Sequence, residues 1–251
     1  MFLTINHFFA EFEFSHFKYF FIKINYIKMT LEIIFSHSGG MFPYYMGIAE
    51  VLKNYDLSNV IFSATSGGCF APLVLNSGKD PKEIFNKILG YIKRDESWET
   101  IIKQFIYDEF TEEELLKNNK RLSVKLTRLN SFLLPEKVNV DTWTSKRDFI
   151  ECIGAACYVP MLCGPKFYCE YRDNKVVDGF FSGTSELPVT ENNRLLFSTT
   201  KWRPFTPQWL IPCTDTDWLK NIYELGYKDA MLHIQEIETK LQRKHLHSIS
   251  F

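Results

Sequence analysis

The sequence lacks several features, and each absence excludes a class of protein. Lys and Arg total 29 against 30 Asp and Glu among 251 residues, so no basic excess indicates a nucleic-acid partner. No window of about 18 uncharged apolar residues occurs, which leaves no candidate for a membrane-spanning helix. Neither an internal repeat nor a low-complexity linker interrupts the chain. At this length one sizeable domain is expected.

The six cysteines carry no metal-binding or secretory signature. None of them forms a C-x-x-C pair, so their spacing does not indicate zinc. No secretory signal precedes them, and free thiols in a reducing compartment are the simplest interpretation. The cysteines are Cys69, Cys152, Cys157, Cys163, Cys169 and Cys213. We therefore expect a cytoplasmic protein that is not secreted.

Residues 1–28 differ from the rest of the chain. They are crowded with Phe, Ile, Lys, Asn and Tyr and carry almost no turn or capping residues. Four polar residues interrupt any apolar core of signal-peptide type: Glu11, Glu13, His16 and Lys18. Two interpretations stay open. The stretch is either an aromatic extension that binds a membrane surface or a partner, or it is untranslated and Met29 is the start, which we favour.

From residue 31 onward the apolar patterns predict alternating strands and helices. The pattern predicts strands over Leu31–Phe35 and Val60–Ser63, and a helix between them over Pro43–Asn54. A glycine-bearing loop follows the first strand, and a turn of small residues follows the second. This order is typical of an α/β fold with right-handed crossovers.

The downstream patterns predict further elements within the same domain. Pro72 is expected to kink or shorten the helix after the second strand. Helical patterns begin at Pro81, with Asp80 as N-cap, and extend with breaks to about Leu129. The remaining predictions are strands over Val138–Trp143, Phe167–Tyr171, Lys175–Val177 and Leu195–Ser198, a helix from Ser145 to about Tyr158, and a helix from Asp217 to about His247. We expect one domain over residues 29–215, with a helical segment over 216–251 packed on it.

The most informative feature is Ser66, in the string Ala64-Thr65-Ser66-Gly67-Gly68 directly after a predicted strand. A strand that delivers a serine onto a tight turn, with a helix beginning just after, has the geometry of a nucleophile elbow. Bulky residues two positions before or after the serine would collide with the turn. Ala64 and Gly68 are both small, so Ser66 is a candidate nucleophile.

Two other motifs would complete such a site. Asp178-Gly179 follows a predicted strand, and a glycine there lets the chain turn sharply while the carboxylate faces the sheet edge. The loop Ser38-Gly39-Gly40 follows the first strand. Glycines at a helix N-terminus leave backbone N–H groups free to face an anion, and beside a serine hydroxyl they would form an oxyanion hole. Each motif can equally be a plain turn.

Other residues compete for these roles. Ser38 also precedes glycines, but it follows the first strand, where an oxyanion loop belongs. Asp173 and Asp215 are most simply turn residues. A conventional triad would need a histidine, and the candidates are His37, His233, His245 and His247. The last three fall on the predicted terminal helix, whereas His37 lies beside the site and could tune it or touch substrate.

Four blocks, in order along the chain, resemble the patatin-like phospholipase family. Phe35–Leu52 is similar to the family's first strand, glycine loop and helix, and Ala64–Gly68 to its G-x-S-x-G. Ala155–Pro160 is similar to its A-S-x-x-x-P segment, and Asp178-Gly179 to its D-G-[GA]. The matching region runs from about residue 31 to residue 200.

This resemblance implies a three-layer α/β/α fold with a central, mostly parallel sheet, and a Ser–Asp dyad that needs no cofactor or metal. Ser66 would attack an acyl carbonyl and Asp178 would act as the base. Backbone N–H groups of Gly39, Gly40 and Gly67 would hold the oxyanion. The implied reaction is hydrolysis of phospholipid or acylglycerol esters. The implied partner is a membrane or lipid-droplet surface, approached peripherally.

Two alternatives stay open. The glycine loop departs from the family pattern at His37 and Ser38, and together with Pro72 this motivates a catalytically impaired module that binds lipid or protein. An acyltransferase or thioesterase would use the same dyad and differ only in the acceptor of the acyl group.

Overall fold

The computed structural model describes residues 30–183, 193–204, 206 and 212–242. The expectations for residues 1–28, for Met29, and for His245 and His247 fall outside this part of the chain.

The opening of the domain follows the predicted order of strand, glycine loop, helix, strand, serine turn and helix. The elements are β1 (Leu31–Phe35), a 3-10 turn (Gly39–Met41), α1 (Phe42–Leu52), β2 (Val60–Thr65), a second 3-10 turn (Ser66–Cys69) and α2 (Phe70–Ser77). Pro72 lies in the first turn of α2, where backbone N–H groups have no intrahelical acceptor in any case. The helix continues through Pro72 and is eight residues long, and the kink or shortening expected from Pro72 stays a prediction.

The middle of the chain corrects one prediction. Three helices follow: α3 (Pro81–Ile92), α4 (Trp98–Glu109) and α5 (Glu112–Leu116). Asp80 caps α3 by accepting from the N–H of Glu83, as predicted. The helical patterns do not extend to Leu129, however, because the next element is β3 (Leu122–Leu129). Its alternate apolar residues are buried on one face, which is the period of a strand.

The last part of the described chain confirms most of the predicted elements with shifted boundaries. They are β4 (Pro135–Val140), α6 (Lys146–Ala156), β5 (Cys169–Tyr171), β6 (Asn174–Asp178), a 3-10 turn (Gly179–Ser182), β7 (Arg194–Phe197), α7 (Thr216–Leu232) and α8 (Ile234–Gln242). Ser145 caps α6, as expected. The prediction of a single terminal helix was wrong, because His233 interrupts the helix and separates α7 from α8.

Seven strands form one sheet around which the described helices are arranged. β7, β1, β2 and β3 lie side by side in this order and run parallel. β4 and β6 pair antiparallel with β3, and β5 pairs antiparallel with β6. This mixed α/β architecture, with a central and mostly parallel sheet, is consistent with the expected three-layer α/β/α fold.

The pairing around β3 brings two distant strand ends together. β4 occupies one edge of β3 along Val124–Leu129, so β2 and β6 share the other edge. On that edge, Thr65 of β2 pairs with Lys125, and Asp178 of β6 pairs with Leu126. Because β2 runs parallel to β3 and β6 runs antiparallel, their carboxyl ends meet head-on at this point.

The helical layer is held tightly around α1. A Cβ added to Gly47 of α1 would collide with the backbone carbonyl of Tyr223, and one added to Gly226 of α7 would collide with the carbonyl of Tyr44. The two helices therefore pack backbone against backbone, which requires glycine at both positions. Along β1 and β2, one face of the sheet is buried in the apolar core, where Ile33, Phe35 and Phe62 are 0% exposed.

Candidate active site

Ser66 occupies a strained turn at the carboxyl end of β2. Its φ angle is +56°, in the left-handed region that L-residues other than glycine, Asn and Asp rarely adopt. Such strain is tolerated where the surrounding structure enforces it, and it is a feature of nucleophile elbows. The side chain is 6% exposed. The local geometry is therefore that predicted from the string of small residues.

The glycine loop after β1 packs directly on this turn. A Cβ added to Gly68 would collide with the carbonyl oxygen of Ser36, which explains why a small residue is needed two positions after Ser66. A Cβ added to Gly67 would lie 2.5 Å from the Ser38 hydroxyl and 3.1 Å from the Gly39 carbonyl oxygen. The loop and the serine turn thus form one tightly packed unit.

The Ser66 hydroxyl donates a hydrogen bond to Asp178 Oδ2 over 2.5 Å, although the residues are 112 positions apart in sequence. Asp178 ends β6 and is 1% exposed. The structure therefore brings together the two residues that the sequence analysis paired, and we call them the Ser66–Asp178 pair.

Asp178 is fixed from several sides by neighbours that sequence reasoning missed. Its backbone N–H donates to the Tyr158 carbonyl over 2.8 Å, and its own carbonyl accepts from the Thr127 hydroxyl over 2.8 Å. Its second carboxylate oxygen, Oδ1, accepts from the Phe180 N–H over 2.8 Å. Pairing of β3 with β6 creates the Thr127 contact, and no local motif signals it. The Phe180 contact is a local cap of the 3-10 turn that follows β6. The segment Ala155–Pro160, noted for its family resemblance, contributes here through Tyr158.

Gly179 is required by a close approach to β3. A Cβ at this position would collide with the Lys125 carbonyl and would lie 3.0 Å from a methyl group of Thr65. The Asp178-Gly179 motif predicted a sharp turn at this glycine. The physical reason is instead that the chain crosses directly over the β3 backbone as it leaves β6.

Burial makes Asp178 an unusual carboxyl group. Desolvation raises its pKa from 3.8 to about 6, while the Ser66 hydroxyl, the Phe180 N–H and the charge of Lys125 pull in the opposite direction. Desolvation prevails because no cation of the described residues pairs directly with the carboxylate. At neutral pH the group is still largely ionised, yet it is a stronger base than an ordinary aspartate.

The three glycines expected to hold an oxyanion lie at the starts of short helical turns. Gly39 and Gly40 open a 3-10 turn that leads into α1, and Gly67 follows Ser66 in its own turn. N–H groups at such positions have no acceptor within the helix. None of these three donates to a backbone carbonyl elsewhere in the described residues.

The rival candidates take other positions. The ring of His37 packs edge-on against Phe180 at 4.8 Å, so it lies beside the site while the Ser66 hydroxyl bonds to Asp178. His233 stacks on Trp202 at the junction of α7 and α8. Burial raises the pKa of the Cys69 and Cys157 thiols well above the ordinary value, which keeps both thiols neutral and unreactive.

A groove of about 140 Å³ is lined in part by Thr65 and Phe180, which are close to the pair in sequence, and by His37 and Lys125, but not by Ser66 or Asp178. A larger cavity of about 230 Å³ lies between β4 and the β5–β6 hairpin and contains neither Ser66 nor Asp178. In the part of the chain that the structure describes, no helix is both long and apolar enough to cross a membrane. The same residues contain no cluster of three potential metal ligands.

No family model matches the chain. Two curated relatives are similar to it, and both are named omega-hydroxyceramide transacylase. The human protein is 28% identical over 169 residues, which cover 61% of this chain and 31% of the relative. The mouse protein is 28% identical over 170 residues, which cover 60% of this chain and 27% of the relative. The chain thus spans less than a third of the length of these relatives, and it is similar to enzymes named for acyl transfer involving a ceramide.

Proposed function

We propose that this protein is a patatin-like lipid acyl hydrolase, in which Ser66 is the nucleophile and Asp178 is the general base. The observation that carries the proposal is the 2.5 Å hydrogen bond from a strained, buried serine to a buried aspartate. Its second support is the pKa of Asp178, raised to about 6 by burial, because a base works best when its pKa lies near the operating pH.

The proposed reaction has two halves. Ser66 Oγ attacks the ester carbonyl carbon while Asp178 takes the hydroxyl proton, and N–H groups of Gly39, Gly40 and Gly67 hold the oxyanion. The tetrahedral intermediate collapses, the ester bond breaks, and Asp178 returns the proton to the departing alcohol. Water then attacks the acyl-enzyme in the same way and releases the fatty acid.

The exposed apolar residues favour a substrate presented at a lipid surface. The loop between β3 and β4 exposes Phe132, Leu133 and Leu134, with Phe132 82% exposed. This loop follows the carboxyl end of β3, and Ser66 follows the carboxyl end of the parallel strand β2, so both lie toward the same end of the sheet. Phe180 and Phe181, just after Asp178, are also exposed. Such side chains can enter the headgroup region of a membrane or lipid droplet.

Acyl transfer is the second candidate function, and the names of the two relatives favour it. The acyl-enzyme and the roles of Ser66 and Asp178 would be unchanged. An acceptor hydroxyl would replace water in the second half of the reaction, and its proton would pass to Asp178.

The decisive experiment measures fatty-acid release from mixed micelles of phospholipid and triacylglycerol, with a chelator present. Wild type is compared with Ser66→Ala and with Ser77→Ala, a control at another buried serine, which bonds only to the Val74 carbonyl. A parallel reaction contains an ω-hydroxylated ceramide as acceptor. We expect Ser66→Ala to abolish product and Ser77→Ala to retain it.

The reaction products distinguish hydrolysis from acyl transfer. Free fatty acid alone supports hydrolysis, whereas an acylated ceramide supports transfer. Activity that survives Ser66→Ala would remove the assignment of the nucleophile. A folded wild type that releases nothing and does not react with a fluorophosphonate probe would favour the lipid- or protein-binding module.

A further inference from the structure

Ser38 has a buried hydroxyl group without a hydrogen-bond partner. The residue is 2% exposed, and its Oγ is the only hydroxyl oxygen among the unpartnered buried side-chain atoms of the described residues. Buried hydroxyl groups are normally satisfied, because losing hydrogen bonds to water without replacement is unfavourable. An unsatisfied hydroxyl in a tightly packed loop therefore calls for a reason other than stability of the resting protein.

The position of this hydroxyl supplies a reason. The hydroxyl oxygen lies 2.5 Å from the position that a Cβ on Gly67 would occupy. It therefore faces Gly67, the residue directly after the nucleophile. Ser38 also directly precedes Gly39, whose N–H donates to no backbone carbonyl elsewhere in the described residues. The hydroxyl thus lies where the glycine loop after β1 packs on the serine turn after β2. Because residue 67 is glycine, no side chain fills the space between the hydroxyl and the serine turn.

We propose that the Ser38 hydroxyl is a catalytic residue that donates a hydrogen bond to the oxyanion during acyl transfer to and from Ser66. This inference rests on the proposed function. A donor without a partner in the resting enzyme gains its bond only when negative charge develops on the substrate oxygen. Interactions of this kind raise kcat rather than substrate affinity, and they are strongest in a site from which water is excluded.

The test compares Ser38→Ala with Ser77→Ala. For Ser38→Ala we expect kcat to fall about 100-fold, as on removal of one oxyanion donor, with KM changed less than about twofold. Inhibition by a trifluoromethyl ketone, which forms the tetrahedral oxyanion on Ser66, should weaken by a similar factor. The unfolding midpoint should stay equal or rise, because the variant removes an unsatisfied group. Ser77→Ala should show the reverse pattern, with a lower midpoint and unchanged kcat.

Ser38→Cys keeps the size of the side chain and offers a weak donor, so its kcat should lie between those of wild type and Ser38→Ala. It also serves if Ser38→Ala does not fold. A Ser38→Ala enzyme with wild-type kcat would overturn the proposal. So would a loss of activity that accompanies a lower midpoint and unchanged ketone affinity, because this would indicate a structural role. Fluorophosphonate labelling of Ser66 in the wild type distinguishes failure of the Ser38 proposal from failure of the proposed function. If Ser66 is not labelled, the proposed function fails as well.

Discussion

Two buried aspartates in this protein have the same side chain and nearly the same burial, but opposite surroundings. Asp229 on α7 is 3% exposed and accepts two hydrogen bonds from the Arg203 guanidinium, over 2.5 and 2.6 Å, and one from the Tyr44 hydroxyl over 2.8 Å. Asp178 is 1% exposed, and within the described residues its carboxylate accepts only from the Ser66 hydroxyl and the Phe180 N–H.

The difference between the two aspartates shows the effect of a paired cation, here the Arg203 guanidinium, on a buried carboxylate. At Asp229 the guanidinium compensates the lost hydration of the carboxylate, so the group can join α7 to α1 through Tyr44 as a structural tie. At Asp178 no cation from the described part of the chain forms an ion pair, so the cost of burial remains and the pKa rises to about 6. Uncompensated burial of this kind lowers stability and is typical of functional sites. Matched substitutions at the two positions can test this contrast.

The largest expected difference is in activity. Asp178→Asn should lower kcat by about 10⁴-fold, because the amide cannot accept the serine proton. Asp229→Asn should leave kcat per folded molecule within about twofold of wild type. Ester hydrolysis with active-site titration measures both variants. A comparable loss of kcat in both variants would contradict the assignment of Asp178 as the base and Asp229 as a structural residue.

The second prediction concerns the pH dependence of activity. Asp178 must be ionised to act as base, so kcat/KM should fall about tenfold per pH unit below the pKa near 6. Asp229→Asn should show the same acid limb, which makes it the control. A limb centred near 4 would mean that burial does not raise the pKa of the base.

The third prediction concerns the stability effect of Asp178→Asn and its sign. The folded pKa is raised from 3.8 to about 6, so the wild type loses stability as pH rises from about 4 to 6. The asparagine variant has no such loss. It should therefore become the more stable protein above pH 6, by up to about 3 kcal/mol for a shift of about two units. Urea unfolding at pH 4 and pH 8 measures the change, and equal differences at the two pH values would refute it.

The smallest expected effect is the stability loss of Asp229→Asn. Breaking the ion pair leaves Arg203 without its partner, but that side chain is 35% exposed, so water takes over part of the interaction. We expect a loss of about 2 kcal/mol, less than the removal of one partner from a fully buried pair. Urea unfolding at pH 7 provides the value. An unchanged midpoint would show that Tyr44 and packing alone hold α7.

Local sequence patterns predicted the elements whose determinants are local. The β1 boundaries, the caps at Asp80 and Ser145 and the turn around Ser66 all depend on residues within a few positions of one another. The prediction failed over Leu122–Leu129, where the helical patterns were extended through a segment whose apolar residues alternate with polar ones as in a half-buried strand. Pairing with β2, β4 and β6 decides in favour of the strand, and these partners are distant in sequence.

The sequence by itself determined the serine turn, because small residues around Ser66 are needed wherever that turn occurs. It also supplied an Asp-Gly motif, but nothing local distinguishes Asp178 from Asp229. Their different surroundings arise only from tertiary structure: β2 and β6 meet end to end on one edge of β3, while α7 brings Asp229 to Arg203 and Tyr44. Hydration lost on burial and charges gained from distant residues decide the pKa of a carboxyl group, and both depend on contacts between segments far apart in the chain.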